Sequence, residues 1–183
     1  MENCALLVVD TQVNMFDEGF SVYAGDRILK TISSLINIAR KAKVNVIFIR
    51  NNGAAGEPDE PGTPGWHIHP SISPEIGDLL IDKTGPDPFD GTDLQMELES
   101  LEVNHIIVMG MQTETCVSAT VRQAVKLGYA VTLVEDGHTT FDWEEITAVE
   151  AIANYNLDLS KYADLVQAQA VDIAYMESCL DVT

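Results

Sequence analysis

Short runs of consecutive apolar residues, rich in β-branched side chains, recur along the chain. They lie at residues 5–9, 44–49, 106–109 and 129–134. Runs of this length without polar alternation are typical of strands buried on both faces. A weaker run at 165–168 predicts one more strand near the end of the chain. The pattern therefore predicts a sheet that is covered on both faces.

Segments with helical periodicity separate these strands. In the first, apolar residues recur every three or four positions from Ile28 to Ala39, with Asp26 as the predicted cap and an end near Ala42. Further helices are predicted from residue 92 or 93, over 113–127, from 142 or 143 to 155, and from about 171. Alternating strands and helices indicate right-handed βαβ units and a parallel sheet. The predicted fold class is three-layer α/β, with helices on both faces of the sheet.

Residues 51–74 interrupt this alternation. The segment is rich in Gly, Pro, Asn and Glu, and it is too long for an ordinary connection. Because loops of this length usually line a site, we expect this one to do so. No repeat or linker divides the 183 residues, so we predict a single domain over residues 1–183.

Charge and hydropathy narrow the classes of function. The chain has 29 acidic and 10 basic side chains and a formal net charge of −19. A nucleic-acid-binding protein needs a basic surface, and an anionic membrane would repel this one. No apolar run approaches the ~20 residues that span a bilayer, and the first residues do not resemble a signal peptide. We predict a cytoplasmic protein with neither nucleic-acid nor membrane partners.

Three cysteines, Cys4, Cys116 and Cys179, form an odd set without paired spacing, which argues against a disulfide framework. Cys4 precedes a predicted core strand, and Cys179 has no base or cation pattern around it, so both are interpreted as buried apolar side chains. Cys116 falls in the first turn of a helix that leaves a strand, where the helix dipole favours a thiolate. A small buried hydrophobe remains the alternative for Cys116 as well.

Three side chains of different chemistry are predicted at one edge of the sheet, where parallel sheets bind ligands. Asp10 follows the first strand, Lys83 precedes the second helix, and Cys116 follows the strand that ends at Met109. Taken singly, Asp10 is explained as a helix cap or a loop carboxylate, and Lys83 as a surface charge. Together they form a set in which a carboxylate takes a thiol proton and an ammonium group lowers the pKa of both.

Four segments and Lys83 resemble the isochorismatase-like cysteine hydrolase family. The segments are LLVVDTQ at 6–12, GTPGWHIHP at 62–70, FDGTDL at 89–94 and GMQTETCV at 110–117. They occur in the family's order and cover almost the whole chain. The resemblance implies a six-stranded parallel sheet of order 3-2-1-4-5-6 and an Asp-Lys-Cys catalytic triad, carried over to Asp10, Lys83 and Cys116.

The resemblance also implies a mechanism. The cysteine attacks an amide carbonyl and forms a thioester, which water then hydrolyses. Asp10 would take the thiol proton and return it to the leaving amine, while Lys83 would hold the aspartate and the thiolate in their charged forms. Backbone N–H groups of Cys116 and Gln112 would bind the oxyanion. A non-proline cis peptide bond is expected at Met111-Gln112.

Departures from the family narrow the expected activity. Nicotinamidases of this superfamily carry a metal-binding Asp-x-His pair after the second strand, whereas residues 50–54 here read RNNGA. His67 and His69 have a possible ligand spacing but no carboxylate or cysteine partner, so no metal and no cofactor are predicted. His105 and His138 are interpreted as surface or strand-flanking residues. True isochorismatases tend to lack the cysteine, so Cys116 favours amide chemistry.

The leading hypothesis is thus a cysteine-dependent hydrolase of a small carboxamide. The alternatives are an isochorismatase or nicotinamidase proper, or a non-catalytic binding protein on the same fold. Gln12, Phe16, Trp66 and Phe89 are the candidate substrate pocket, with Phe20 as a further aromatic candidate, although such side chains are as often plain core. Family members are commonly oligomeric, so a homodimer or homotetramer is expected.

Overall fold

The computed structural model describes residues 3–17 and 19–180, with the side chain of Phe20 excepted. Six strands form one parallel sheet. They are β1 (Asn3–Val9), β2 (Asn45–Asn51), β3 (Leu79–Lys83), β4 (Val103–Met111), β5 (Ala130–Thr139) and β6 (Asp164–Val166). Numbered within this sheet, the strand order is β3-β2-β1-β4-β5-β6, and every neighbouring pair is parallel. The expected six-stranded parallel sheet and its order are confirmed. A separate two-stranded ribbon, Phe16–Asp17 with Phe20–Ser21, was not predicted.

Five helices cover the two faces of this sheet. They are α1 (Gly25–Lys41), α2 (Leu94–Ser100), α3 (Ser118–Lys126), α4 (Ala148–Leu159) and α5 (Ile173–Ser178). Helices α1 and α5 share one apolar core with one face of the sheet. Helices α2, α3 and α4 contribute to a second core on the other face. Each of the described helices is too short or too polar to cross a membrane.

Several helix boundaries differ from the sequence prediction. Helix α1 begins at Gly25, so Asp26 lies in its first turn and is not its cap. Helix α4 begins at Ala148, after a capping box in which Thr147 and Glu150 bond reciprocally. Asp142 was predicted as a possible start of this helix; it instead lies six residues before Ala148 and accepts that residue's N–H at 2.8 Å. Side-chain hydrogen bonds to backbone N–H groups set the start of this helix, and the spacing of apolar residues does not reveal them.

The carboxyl edge of β1 is the tightest part of the sheet. Residues 4–9 of β1 are fully buried between its neighbours β2 and β4. Gly110, near the end of β4, has φ +128°, and a Cβ built there would lie 2.1 Å from the carbonyl oxygen of Val9. Only glycine fits this approach without displacing β1. The close contact brings the segments that follow β1 and β4 side by side.

Candidate active site

Asp10 is the first residue after β1, and its backbone turns sharply there. Its φ is +46°, a left-handed conformation that Asp tolerates better than most residues. Its N–H donates to the carbonyl oxygen of Ile49 at 2.9 Å, which ties the turn to β2. The side chain is only 1% exposed. The Asp10 carboxylate is therefore buried at the carboxyl edge of the sheet.

Lys83 ends β3 and is as deeply buried as Asp10. Its Nζ lies 2.7 Å from Asp10 Oδ2, which makes a buried ion pair. The same Nζ lies 3.4 Å from Cys116 Sγ and 3.4 Å from Asn51 Oδ1. Asn51 is the register partner of Lys83 on the neighbouring β2. The ammonium group thus joins the carboxylate and the thiol, and the structure brings together all three predicted catalytic residues.

Cys116 lies in a π-helical turn, Thr113–Val117, that leads directly into α3. The N–H groups of Thr115 and Val117, on either side of Cys116, both donate to the Gln112 carbonyl, at 3.2 and 3.1 Å. The preceding Met111-Gln112 peptide bond is cis, as expected. Single π turns occur frequently at functional sites. Here the wide turn places Cys116 opposite Asp10 and Lys83 rather than in regular α-helical register.

A buried hydrogen-bond chain holds the start of this turn. Thr113 Oγ1 lies 2.8 Å from His138 Nδ1, and His138 Nε2 lies 2.9 Å from Asn156 Oδ1 on α4. His138 is 1% exposed, and burial lowers its pKa, so the ring is neutral at pH 7. The interpretation of His138 as a surface or strand-flanking residue is therefore wrong. Strand β5 extends five residues beyond its predicted apolar run and carries His138 into the interior.

The charges in this cluster decide the state of the thiol. Burial raises the pKa of Asp10, although the Lys83 ammonium opposes the shift. Burial lowers the pKa of Lys83, but the charge of Asp10 and the contact with Cys116 outweigh this and leave it raised. Burial and the negative charge of Asp10 raise the pKa of Cys116 to about 12, against the effect of Lys83.

The raised pKa of Cys116 keeps its side chain a protonated thiol at neutral pH, next to the Asp10–Lys83 ion pair. The helix start and Lys83 were predicted to favour a thiolate at Cys116; Lys83 does lower the pKa, but opposing effects outweigh it. The physical reasons are the burial of the sulfur and the negative charge of the Asp10 carboxylate, both of which disfavour the thiolate. Asp10 Oδ1 is buried and has no hydrogen-bond partner in the described part of the chain. It is therefore an available proton acceptor at the site.

A cavity of about 700 Å³ opens in front of Cys116. One wall comes from the long loop, which contributes residues 51–54 and 57–59, so this loop lines the site as expected. The loop docks on the chain after β1: Val13 N–H donates to the His67 carbonyl and His69 N–H to the Thr11 carbonyl, each at 2.9 Å. Met15 and Phe141 supply apolar surface on the other side.

The four predicted pocket residues are not among the described residues that line this cavity. Gln12 is fully buried and fastens the loop, donating to the Asn51 and Trp66 carbonyls at 2.9 and 3.0 Å. Phe16 packs edge-on against His69, and Phe89 stacks on Tyr129. The Phe20 side chain lies outside the described residues. Position near a strand end predicted that these residues lie close to the site, but not the direction of their side chains.

Trp66 acts on the outside of the loop. The Arg50 guanidinium lies 3.4 Å from the centroid of the Trp66 ring. The Trp66 Nε1–H donates to Asn52 Oδ1 at 2.7 Å. Arg50 also binds both carboxylate oxygens of Asp82, at 2.7 and 3.0 Å. The contacts of Trp66 therefore stabilise the loop without lining the cavity, whereas Asn52 and its neighbours form the cavity wall.

Two residues on the site were missed by the sequence analysis. Asn51 Nδ2 donates to Asp59 Oδ2 at 2.7 Å, while Asn51 Oδ1 faces Lys83. Asp59 is 9% exposed and lines the cavity. A bent loop brings Asp59 onto β2, and only the spacing within a polar, Gly-rich segment could have suggested this pairing.

The place where nicotinamidases carry their metal pair does not fit a metal here. Arg50 is engaged by Asp82 and Trp66, and the amide of Asn51 bridges Lys83 and Asp59. His67 is exposed beside Trp66, and His69 Nδ1 lies 2.8 Å from Ser71 Oγ. The two histidines have separate neighbours and do not converge.

The other two cysteines lie at the opposite end of the sheet, in contact with each other. Cys4 is inside β1, and Cys179 directly follows α5. A hydrogen bond with Cys4 lowers the pKa of Cys179, and a second with His105 lowers it further. Burial opposes both, and the resulting pKa is about 5. The interpretation of Cys179 as a cysteine without a base nearby is therefore wrong, because His105 is 74 residues away in sequence but adjacent in space.

Fold and site together define an α/β protein with a buried carboxylate–ammonium pair beside a thiol at the carboxyl edge of its parallel sheet. The isochorismatase domain model matches residues 4–164, and the chain belongs to the isochorismatase family. A streptothricin hydrolase of Streptomyces noursei is 38% identical over 138 residues, which cover 75% of this chain and 50% of that protein. The chain spans about half the length of this relative and of a second streptothricin hydrolase.

Two further matches extend the likeness. Nicotinamidase 3 of Arabidopsis thaliana is 31% identical, with 76% of this chain and 75% of that protein covered. A crystal structure from Oleispira antarctica, assigned to the isochorismatase hydrolases, superposes with a TM-score of 0.87 at 26% identity, covering 92% of this chain and 95% of the other. The three-layer architecture is thus shared along nearly the whole chain.

Proposed function

We propose that this protein is a cysteine-dependent hydrolase that cleaves the C–N bond of a small carboxamide through a thioester on Cys116. The observation that carries the proposal is the buried cluster in which Lys83 Nζ lies 2.7 Å from Asp10 and 3.4 Å from the Cys116 sulfur, at the floor of a cavity. The family membership and the similarity to a streptothricin hydrolase and a nicotinamidase support it.

In the first half of the reaction, Asp10 Oδ1 takes the proton of the Cys116 thiol as the sulfur attacks the amide carbonyl. The N–H groups of Cys116 and Gln112 are assigned to the developing oxyanion, a role in which one donor is worth about 3–4 kcal/mol of the barrier. Protonated Asp10 then passes its proton to the leaving nitrogen, the C–N bond breaks, and the amine departs. The acyl group remains on Cys116 as a thioester.

In the second half, water replaces the amine. Asp10 accepts one proton from water while the oxygen attacks the thioester carbonyl, and the sulfur leaves and recovers that proton. The products are a carboxylic acid and the free thiol. Lys83 stays charged throughout and stabilises Asp10 in its ionised form and the transient thiolate.

The charge of the cavity favours a substrate with a positively charged group. Asp17 and Glu57 are exposed at the cavity, and Asp59 lies deeper in its wall. No Lys or Arg is found among the described lining residues. A cationic group about 4 Å from such a carboxylate gains about 1 kcal/mol in water and more where water is partly excluded. Streptothricin therefore belongs in the substrate panel, as do matched cationic, neutral and anionic amides.

The defining experiment is acyl-enzyme trapping. Wild-type protein and Cys116→Ala are mixed with p-nitrophenyl acetate and with acetyl p-nitroanilide, and intact-mass and peptide mass spectrometry locate the acetyl group. We expect acetylation at Cys116 in the wild type and no acyl-enzyme in Cys116→Ala. Wild-type protein that hydrolyses neither probe nor any panel amide would instead favour a non-catalytic binding protein.

Nicotinamide and isochorismate serve as discriminating substrates in the same panel. Because Arg50 and Asn51 occupy the place of the nicotinamidase metal pair, we expect nicotinamide to be turned over poorly, with or without added Zn²⁺. Efficient nicotinamide hydrolysis would identify a nicotinamidase with an altered site. Isochorismate turnover that persists in Cys116→Ala would identify an isochorismatase and contradict the thioester route.

A further inference from the structure

A second cluster of chemically reactive side chains lies at the amino edge of the sheet, at the far end of β1 from Asp10. It comprises Cys4 on β1, His105 on β4 and Cys179 after α5. Their ligand atoms, two sulfurs and an imidazole nitrogen, all lie within 4.8 Å of one another. At about 3.3 Å per strand residue, the six residues from Cys4 to Asp10 place the cluster roughly 20 Å from the catalytic thiol.

The fold itself brings these side chains together. Cys4 and His105 are register partners on adjacent parallel strands, so both point to the same face of the sheet. Helix α5 packs over that face, and Met176 and Cys179 belong to the same buried core as Cys4. The N–H of Cys179 donates to the Tyr175 and Met176 carbonyls, which ends the helix with the thiol directed inward. The two cysteines are thus held by long-range packing.

The imidazole is oriented as that of a metal ligand usually is. His105 Nε2 lies 2.9 Å from Thr132 Oγ1, and Thr132 Oγ1 lies 3.1 Å from the Tyr175 hydroxyl. One ring nitrogen is therefore held by an outer partner. Histidines that bind metals almost always have such a partner on the nitrogen that faces away from the ion.

We propose that Cys4, His105 and Cys179 bind one Zn²⁺ ion, with water as the fourth ligand. Two thiolates and an imidazole are a ligand set that zinc prefers, and with water they supply the four ligands of a tetrahedral zinc site. Zn–S bonds of about 2.3 Å and Zn–N bonds of about 2.0–2.1 Å bring ligand atoms to within about 4 Å of one another, so modest side-chain rotation closes the site. Binding converts Zn²⁺, the Cys179 thiolate and the Cys4 thiol into a neutral Zn–dithiolate and releases the proton of Cys4.

The ion would join three elements that are distant in sequence: β1, β4 and α5. Its expected effect is to fasten the last described helix to the centre of the sheet. The site lies away from the catalytic cluster, so the proposal stands independently of the proposed amide hydrolysis.

The test is metal binding by the full-length reduced chain after treatment with a chelator. Zn²⁺ alone is the probe, with stoichiometry measured by elemental analysis and affinity by competition with a chromogenic chelator. We expect one Zn²⁺ per chain, a raised Tm, and at least a tenfold loss of affinity in both Cys179→Ser and His105→Gln. Thr132→Val should weaken binding by about tenfold through the outer hydrogen bond alone.

Two controls isolate the site. Cys116→Ala should bind Zn²⁺ as tightly as wild type, and so should His69→Gln, a matched histidine outside the cluster. Co²⁺ in place of Zn²⁺ should give a thiolate-to-cobalt charge-transfer band that disappears in Cys179→Ser. Using two separate ligand variants and a spectroscopic signature keeps the test decisive if one variant folds poorly.

Three results would overturn the proposal. The first is less than one Zn²⁺ bound per reduced chain. The second is Zn²⁺ binding that survives in Cys179→Ser and His105→Gln but is lost in Cys116→Ala, which would place the metal on the catalytic thiol. The third is a Cys4–Cys179 disulfide in the chain as isolated under ambient conditions, together with no Zn²⁺ binding after reduction.

Discussion

Cys116 and Cys179 are both thiols next to a helix end, yet their surroundings move their pKa values in opposite directions. Burial and the Asp10 carboxylate raise the pKa of Cys116 to about 12. Hydrogen bonds from Cys4 and His105 lower that of Cys179 to about 5. The comparison teaches that the partner of a thiol, more than its place on a helix, decides whether it rests as a thiol or a thiolate. The proposed nucleophile is the protonated one because its proton acceptor is built into the site.

Replacing Asp10 separates its effect on the pKa of Cys116 from its proposed role as the general base. In Asp10→Asn the carboxylate that raises the pKa of Cys116 is gone, so the thiol should titrate at lower pH. Turnover should nevertheless fall by about 10²–10⁴-fold, because the general base is lost. Thiolate absorbance against pH and kcat/KM for the best panel amide measure the two effects.

Asp82→Asn is the matched control, since Asp82 lies on β3 next to Lys83 but is exposed and pairs with Arg50. It should change neither the thiol titration nor kcat/KM by more than about twofold. If Asp10→Asn and Asp82→Asn have equal activity, Asp10 is not the base.

Lys83→Met tests the counter-charge in the same cluster. It leaves the buried Asp10 carboxylate without its ion-pair partner, which should lower the free energy of unfolding by about 3–5 kcal/mol. Denaturant unfolding measures the loss. Lys161→Met, which removes an exposed ion pair with Asp158, should cost less than about 1 kcal/mol.

The double variant Asp10→Asn with Lys83→Met sharpens this result. Because both charges are then absent, most of the lost stability should return relative to Lys83→Met. If the double variant is less stable than the wild type by the sum of the two single losses, the two groups are not coupled.

Thr113→Val tests the smaller contribution of the chain that positions the π turn. It removes the hydroxyl that lies 2.8 Å from the buried His138 ring, so stability should fall by about 1–3 kcal/mol. Since Cys116 is displaced rather than removed, kcat should fall more than KM rises. Thr113→Ser retains the hydroxyl and should recover most of both effects; equal losses in Val and Ser would assign the effect to packing.

Glu57→Gln tests whether the acidic side chains at the cavity favour a cationic substrate. In Glu57→Gln, the ratio of kcat/KM for a cationic amide to that for its neutral analogue should fall by about two- to fivefold, as expected for one partly exposed charge. High salt should lower the wild-type ratio in the same direction. A ratio that is unchanged by both treatments would remove the argument for a cationic substrate.

The sequence predicted the architecture because its strands are buried on both faces and therefore read as uninterrupted apolar runs. The exceptions are the two edge strands: β3 alternates between buried and exposed residues and no run marked it, and the short β6 is partly exposed and gave only a weak run. Asp10 and Cys116 could be placed at one edge because parallel strands end together there, whereas Lys83 was placed there by its position before the predicted second helix. Their motif resemblance then joined them into one set.

The remainder of the site depends on tertiary contacts that no local pattern encodes. The side-chain directions of Gln12 and Phe16 follow from how the long loop docks, and the role of His138 follows from the added length of β5. Likewise, Cys179 meets His105 only once α5 has packed on the sheet. The raised pKa of Cys116 was not predicted because it depends first on the burial of the sulfur, which the sequence does not report.

The pH dependence of Cys116 acylation tests the central claim most directly. Single-turnover acetylation by p-nitrophenyl acetate is followed from acid to alkaline pH. If Asp10 is the base, the rate falls as Asp10 is protonated, so it should rise through a pKa above the ordinary aspartate value of 3.8 and then level off across neutral pH. A rate that instead rises tenfold per pH unit through neutrality, towards a thiol pKa of about 12, would show that only the preformed thiolate reacts and would contradict the account.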